Sequence, residues 1–212
     1  MGLKKVLVLT VILLSAAVCG LKFLSQKITF EPDKHEAIVR VVNPNRGSCS
    51  AFVIDNKRAI TAAHCLATRP DLENPGQLVY DSQYFIVFNS KGKDTSIRVT
   101  VARALYGADA AILYGDFSKF EKLELARGFK LEAGEALSAC GYPGGFSSLE
   151  CTDGKFVRTT FFEGLMTNYI AVGMSGGPVM TKGGLVVGVN VRTTAEGYSA
   201  FPVLFGKINM EK

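Results

Sequence analysis

Histidine is nearly absent from this chain, with His35 and His64 the only two in 212 residues. No His/Cys/Asp spacing forms a metal-ligand set, and the isolated glycines build no phosphate-cradling loop. Neither a metal nor a cofactor is therefore expected. No long stretch is dominated by Pro, Ser or Gln, which argues against extended disorder. No self-similar period of about 20 to 50 residues marks a repeat architecture. The chain also lacks the run of about 20 apolar residues that a spanning helix needs, because Lys22 ends the stretch that begins at Val6. Basic residues are in modest excess, with a net charge of +5, but they are scattered. That pattern describes a solvated surface and gives no reason to expect a nucleic-acid partner.

What is present is globular: 48% hydrophobic and 20% charged residues, ample for one core. At the N-terminus, Lys4 and Lys5 precede the apolar run 6–14, followed by Ser15, Ala16 and Ala17. This order of charged, apolar and small residues is that of a secretory signal. Residues 1–25 are thus expected to be a signal peptide or, second best, a membrane anchor, and residues 26–212 the working domain. Such a domain would be secreted or periplasmic, or tethered outside the cytoplasm by its N-terminal segment. Val18 stands where a small residue normally precedes a lipidated cysteine, which argues against lipidation of Cys19. The five cysteines are Cys19, Cys49, Cys65, Cys140 and Cys151. Cleavage after Cys19 would leave an even four, a number that suits disulfides in an exported chain.

Past residue 36 the pattern is one of short strands and turns. Segments 37–42, 51–54, 58–61, 84–88, 97–105 and 109–113 read as strands. Ile97, Val99 and Val101 alternate with Arg98, Thr100 and Ala102, as a strand with one buried face requires. The charged stretch 115–130 breaks the series; it reads as a linker or as one helical turn around Phe117 and Phe120. Strands resume at 136–141, 155–162, 166–171 and 178–180, with a hairpin turn leading into 185–191. Glycine, at 22 of 212 residues, exceeds the usual ~7% and fits many tight turns. Two groups of short strands, about 36–114 and about 131–205, argue for an all-β barrel or sandwich architecture.

The densest chemical signal is Gly173-Met174-Ser175-Gly176-Gly177-Pro178. Two glycines after a serine let the backbone turn sharply and aim N–H groups at one point, which is what a nucleophile with an oxyanion hole needs. The same letters fit the nucleophile elbow of α/β-hydrolases, but that fold needs a histidine after the serine and both histidines here precede it. A general base must be His35 or His64. His35 sits in the polar segment 31–36 and reads as a solvated surface residue. His64 ends an apolar strand in Thr61-Ala62-Ala63-His64-Cys65, whose small residues leave room for a substrate.

Those two motifs together resemble the chymotrypsin/trypsin superfamily of serine endopeptidases, most closely in pattern its bacterial members, over about residues 36–203. The resemblance implies two antiparallel six-stranded β-barrels with the active site in the cleft between them. It implies the chain order His, Asp, Ser, hence His64, an aspartate and Ser175. Asp109 opens Asp109-Ala110-Ala111-Ile112-Leu113, similar to the family's aspartate-bearing strand, whereas Asp81, Asp94 and Asp116 have the polar neighbours of solvated loops. The resemblance further implies an oxyanion hole from the N–H groups of Gly173 and Ser175, and a disulfide between Cys49 and Cys65. Cys140 and Cys151, which flank 141–150, could form a second bridge for which the family offers no counterpart. By alignment, Tyr169 falls near the base of the primary pocket, with Asn190, Val191 and Arg192 along its wall. No acidic residue is among them, which favours an apolar or small substrate side chain over Lys or Arg; an inward Arg192 would favour an acidic one.

Three departures from the family pattern stand out. Met174 replaces the aspartate that digestive members place before the serine, so their activation salt bridge cannot form. The span from Asp109 to Ser175 is short. Gly141-Tyr142-Pro143-Gly144 and Ala200-Phe201-Pro202 resemble periplasmic quality-control proteases, although no peptide-binding module is expected after Val203. The reading is thus a serine endopeptidase acting on protein or peptide substrates. Its rivals are a protease-like binding module without catalysis at the cell surface, and a tethered structural protein whose barrel only presents loops.

Overall fold

Alternation of side chains along each strand decides which face turns inward, and here it closes a barrel. The computed structural model describes residues 36–43, 47–70, 78–80, 84–90, 93–105, 108–146, 148–160 and 163–202. The expected signal segment, Cys19, His35 and Asp81 lie outside the described residues, as do the chain beyond Pro202 and the Asp94 side chain. The first strands are β1 (Ile38–Asn43), β2 (Gly47–Val53), β3 (Arg58–Thr61), β4 (Ala67–Pro70) and β5 (Leu78–Tyr80). They are followed by β6 (Tyr84–Ser90), β7 (Lys93–Leu105) and β8 (Ala110–Tyr114). Strands β1, β2, β3, β8, β7 and β6 pair in that order, and β6 returns to β1 to close the ring. Residues two apart fill its interior: Val39 and Val41, Ala51 and Val53, Tyr84 and Ile86, Ala111 and Leu113. Ile97 and Val101 are partly buried beside them and Val99 fully so, as their alternation predicts. Strands β4 and β5, which have no counterpart in the expected series, form a separate two-stranded ribbon.

The second half holds β9 (Ala136–Gly141), β10 (Glu150–Thr159), β11 (Glu163–Met166) and β12 (Pro178–Thr181). It ends with β13 (Val186–Val189), β14 (Arg192–Thr193) and β15 (Ser199–Pro202). These form a seven-stranded sheet in the order β13-β12-β9-β10-β11-β15-β14. Its two ends, β13 and β14, are halves of one extended stretch, 186–193. Asn190 continues the pairing with Gly176 and Gly177, and Val191 the pairing with Ala200. Taken as one strand, 186–193 closes the sheet into the expected second six-stranded ring. Leu137, Ala139, Met166, Met174, Val179 and Val187 pack inside, with Phe156 against Phe201 edge to face. The expected strand 166–171 ends at Met166; residues 168–171 are irregular and lead into the Ser175 turn.

Residues 115–130 form no helix. They are an extended strap whose apolar residues belong to the barrels on either side. Phe117 and Phe120 insert into the first core, ring centroids 5.6 Å apart, and Ala126 joins the second. The Leu123 N–H donates to Val53 O (2.9 Å), while Ala126 and Glu124 exchange hydrogen bonds with Val186 (2.9 and 2.8 Å). Two disulfides complete the frame. Cys49–Cys65 ties β2 to the turn after β3, and in the chain-entropy picture a loop of this size is worth roughly 3 kcal/mol. Cys140–Cys151 joins residues directly opposite across β9 and β10. Since Phe117 is fully buried, Phe117→Ala is expected to cost about 3–5 kcal/mol, read as a lower denaturant midpoint; an unchanged midpoint would show that the strap does not contribute to the core.

Candidate active site

Strand pairing brings the first two site residues together. β3 and β8 run antiparallel with Thr61 opposite Ala111, so the chain leaving β3 and the residue entering β8 lie side by side. After Thr61, a single 3-10 turn, Ala63–Cys65, presents His64, and Cys65 is fixed to Cys49. Asp109, immediately before β8, grips His64 at two points. Its Oδ1 accepts the backbone N–H of His64 at 2.9 Å and its Oδ2 accepts the ring Nδ1–H at 2.6 Å. That second bond fixes the tautomer with the proton on Nδ1 and leaves Nε2 as an acceptor. Burial raises the Asp109 carboxyl, but the hydrogen bonds and charge of His64 with the Ala63 N–H outweigh it, and the net shift is downward. Of the rival acids within the described residues, Asp116 is exposed and bonds to Ser118 alone.

Ser175 lies in a turn pressed against both barrels. Its carbonyl accepts the Ser50 N–H from β2 (2.7 Å) and sits 3.8 Å from Cys65 Sγ. Gly173 and Gly176 have φ of +95° and +86°, values that favour glycine. Space demands it too: a Cβ on Gly176 would stand 2.1 Å from Ser50 O, and one on Gly173 2.4 Å from Tyr142 O. Peptide planarity then sets the direction of the N–H groups. Val172 O accepts the Gly144 N–H (2.7 Å), and Met174 O accepts the Gly177 N–H (3.0 Å) and Asn190 Nδ2 (3.4 Å). In a trans peptide the N–H points opposite to its carbonyl, so the Gly173 and Ser175 N–H groups point away from these partners. Neither has an acceptor among the described residues, and a pair of free N–H donors beside a hydroxyl suits a developing oxyanion. The Ser175 hydroxyl donates to Val191 O at 3.4 Å, a long bond. Among the described residues no hydrogen bond joins it to His64.

The expected pocket residues are arranged differently from the alignment. The Tyr169 side chain is 72% exposed and stands at the surface, not at the base of a closed pocket. Asn190 is fully buried; its amide turns into the second barrel to hold Cys140 O (2.9 Å) and Met174 O. Val191 contributes its carbonyl, the acceptor of the Ser175 hydroxyl. Arg192 reaches along the surface to Glu163 at 2.5 Å, so its charge is paired. Val172, which leads into the Ser175 turn, is exposed, as is Phe146 after the turn Pro143–Gly145. The ligand atoms of Cys49, His64 and Cys65 lie within 4.8 Å of one another, but the two sulfurs are bonded to each other and offer no thiolate to a metal. Ser50, which sequence reasoning passed over, is buried where β2 meets the Ser175 turn. Its only signal is a small polar residue beside Cys49, just ahead of an apolar run.

A family model for the trypsin-like peptidase domain matches residues 49–189. Among solved structures, the chain is similar to the Rv3671c protease from M. tuberculosis in its active form, at TM-score 0.64 and 18% identity over 81% of this chain and 77% of that one. It is also similar to a serine endoprotease from Yersinia pestis (0.66, 17% identity, 81% and 60% covered) and to Deg5 (0.62, 20% identity, 79% and 84% covered). At such identities the likeness is one of fold. No curated protein matches the chain in sequence.

The Asp109 shift has a testable sign. A carboxyl whose folded pKa lies below its ordinary 3.8 contributes stability that is fully present above about 3.8 and lost as pH falls through the lower folded value. Denaturant midpoints of the wild type and Asp109→Asn should therefore differ at about pH 6, and the difference should shrink as the pH is taken progressively below 3.8; a gap that does not narrow in acid would contradict the coupling.

Proposed function

The chain belongs to the trypsin-like peptidase family, and from that premise we propose that it is a serine endopeptidase with Ser175 as nucleophile, His64 as general base and Asp109 as the group that orients it. The observation that carries this reading is the two-point grip of Asp109 on His64, which leaves Nε2 as an acceptor. A rotation about the Ser175 side chain, from Val191 O towards Nε2, is required before reaction; such rotations are fast beside turnover. His64 then takes the hydroxyl proton as Oγ attacks the peptide carbonyl carbon, and the Gly173 and Ser175 N–H groups hold the oxyanion. The imidazolium, stabilised by Asp109, gives its proton to the leaving amine. Water, deprotonated by His64, hydrolyses the ester that remains.

Surroundings of the turn support an apolar substrate. Val172, which leads into the Gly173–Ser175 turn, is exposed, and Arg192 and Glu163 satisfy each other. Burying a substrate Lys or Arg without a counter-charge would cost several kcal/mol, whereas apolar surface gains about 25 cal/mol per Å² buried. Two disulfides support work in an oxidising compartment outside the cytoplasm. A second reading, a binding module without turnover, draws on the Ser175 hydroxyl being bonded to Val191.

A fluorophosphonate probe separates the two readings. The wild type should be labelled and Ser175→Ala should not. His64→Ala and Ser175→Ala should each lower peptide hydrolysis by at least about a thousandfold, and the double variant little further, because the members act as a unit. An unlabelled but folded wild type would favour the binding module. Cleavage of a peptide library should follow apolar residues and be unaltered in Arg192→Ala; a preference for Glu or Asp that vanished in that variant would show that the arginine serves the substrate instead.

A further inference from the structure

We propose that the Ser50 hydroxyl is a positioning group for the oxyanion hole, an inference that rests on Ser175 being the nucleophile. Ser50 is fully buried in β2, yet every polar group it has is engaged, and three of its four bonds go to the second barrel. Its N–H donates to Ser175 O (2.7 Å), and its carbonyl accepts the Thr61 hydroxyl (2.7 Å). Its own hydroxyl donates to Gly173 O (2.8 Å) and accepts the Tyr142 N–H (2.9 Å). One oxygen atom thus joins the serine turn to the 142–145 segment that lies against it.

Location gives this bridge its consequence. Each of the two donors belongs to a different peptide, 172–173 and 174–175, and the Gly173–Met174 peptide lies between them. That middle peptide is held through Gly173 O by Ser50. The 172–173 peptide is held through Val172 O by the Gly144 N–H, on the same segment whose first residue, Tyr142, Ser50 also holds. Gly173 has no Cβ, so the peptides on both sides of it rotate at little intrinsic cost. Without external anchors its N–H would sample directions useless to an oxyanion. Arg40, from β1, adds a lateral support by donating to Gly145 O (3.3 Å). The Ser50 hydroxyl is bonded to both segments.

Removing the hydroxyl should spare the His64–Asp109 pair and misalign the donors. Ser50→Ala is expected to lower kcat by about tenfold or more, short of the about 10²–10³ lost with a direct donor, with KM and the acid limb of the pH profile unchanged. Affinity for a peptide boronate, whose tetrahedral adduct on Ser175 places an oxygen in the hole, should fall by a similar factor. Ser50→Thr, which keeps the hydroxyl, should recover most of both. If Ser50→Ala does not fold, Ser50→Cys, with its weak thiol donor, serves for the same comparison. Wild-type kcat and boronate affinity in the folded variant would overturn the assignment, as would losses that only track its unfolded fraction. A wild type that fluorophosphonate fails to label would instead sink the nucleophile reading, and the Ser50 role with it.

Discussion

A slip of one residue between β3 and β8 would turn every inward side chain of one strand outward and would part His64 from Asp109. The Thr61–Ala111 register is therefore both a packing constraint and a chemical one. It is enforced by the barrel interior, where Ala59, Ala111 and Leu113 must face the centre while Ile60 and Ile112 are buried on the other face. Exposing Leu113 alone would cost roughly 1.5–3 kcal/mol, as much as a hydrogen bond to a charged group contributes, and the neighbouring buried side chains add to it. Core packing thus fixes the grip of Asp109 on His64.

At the serine turn the second barrel meets this frame largely through backbone. No side chain of Gly173, Gly176 or Gly177 stands between the serine turn and its neighbours, and carbonyl oxygens from Tyr142, Ser50 and Cys140 occupy the space a Cβ would need. Buried polar groups then have to be satisfied locally. Ser50 and Asn190 do so from opposite sides, one through Gly173 O and the other through Met174 O. Both are small polar residues whose value lies in the carbonyls they hold; an apolar side chain in place of Ser50 would take that partner from Gly173 O and from the Tyr142 N–H, whereas Met174 O would keep the Gly177 N–H.

Much of this was legible in the sequence. The paired motifs around His64 and Ser175 pointed to the fold, and the alternation at 97–101 and the apolar run after Asp109 located strands that close the first barrel. Asp109 was recognisable because an acid opens a wholly apolar strand. What could not be read were features that depend on partners distant in the chain. Ser50 bonds to Gly173 and Tyr142, far along the sequence, and nothing in its neighbours announces that. Tyr169 and Asn190 were placed at a pocket by alignment; Asn190 is buried with its amide on Cys140 O and Met174 O, while Tyr169 is exposed, and no local pattern reveals either placement. Residues 115–130 read as a linker or as one helical turn around Phe117 and Phe120; that these two side chains enter the first core could not be read from the segment's charge.

That strap has a thermodynamic consequence. Its backbone is hydrogen-bonded to Val53 in the first barrel and to Val186 in the second, and its phenylalanines complete a core it does not otherwise belong to. Opening either barrel strips the strap of part of its support and so weakens the other. The two halves are thereby coupled, and loss of one is expected to lower the stability of the other.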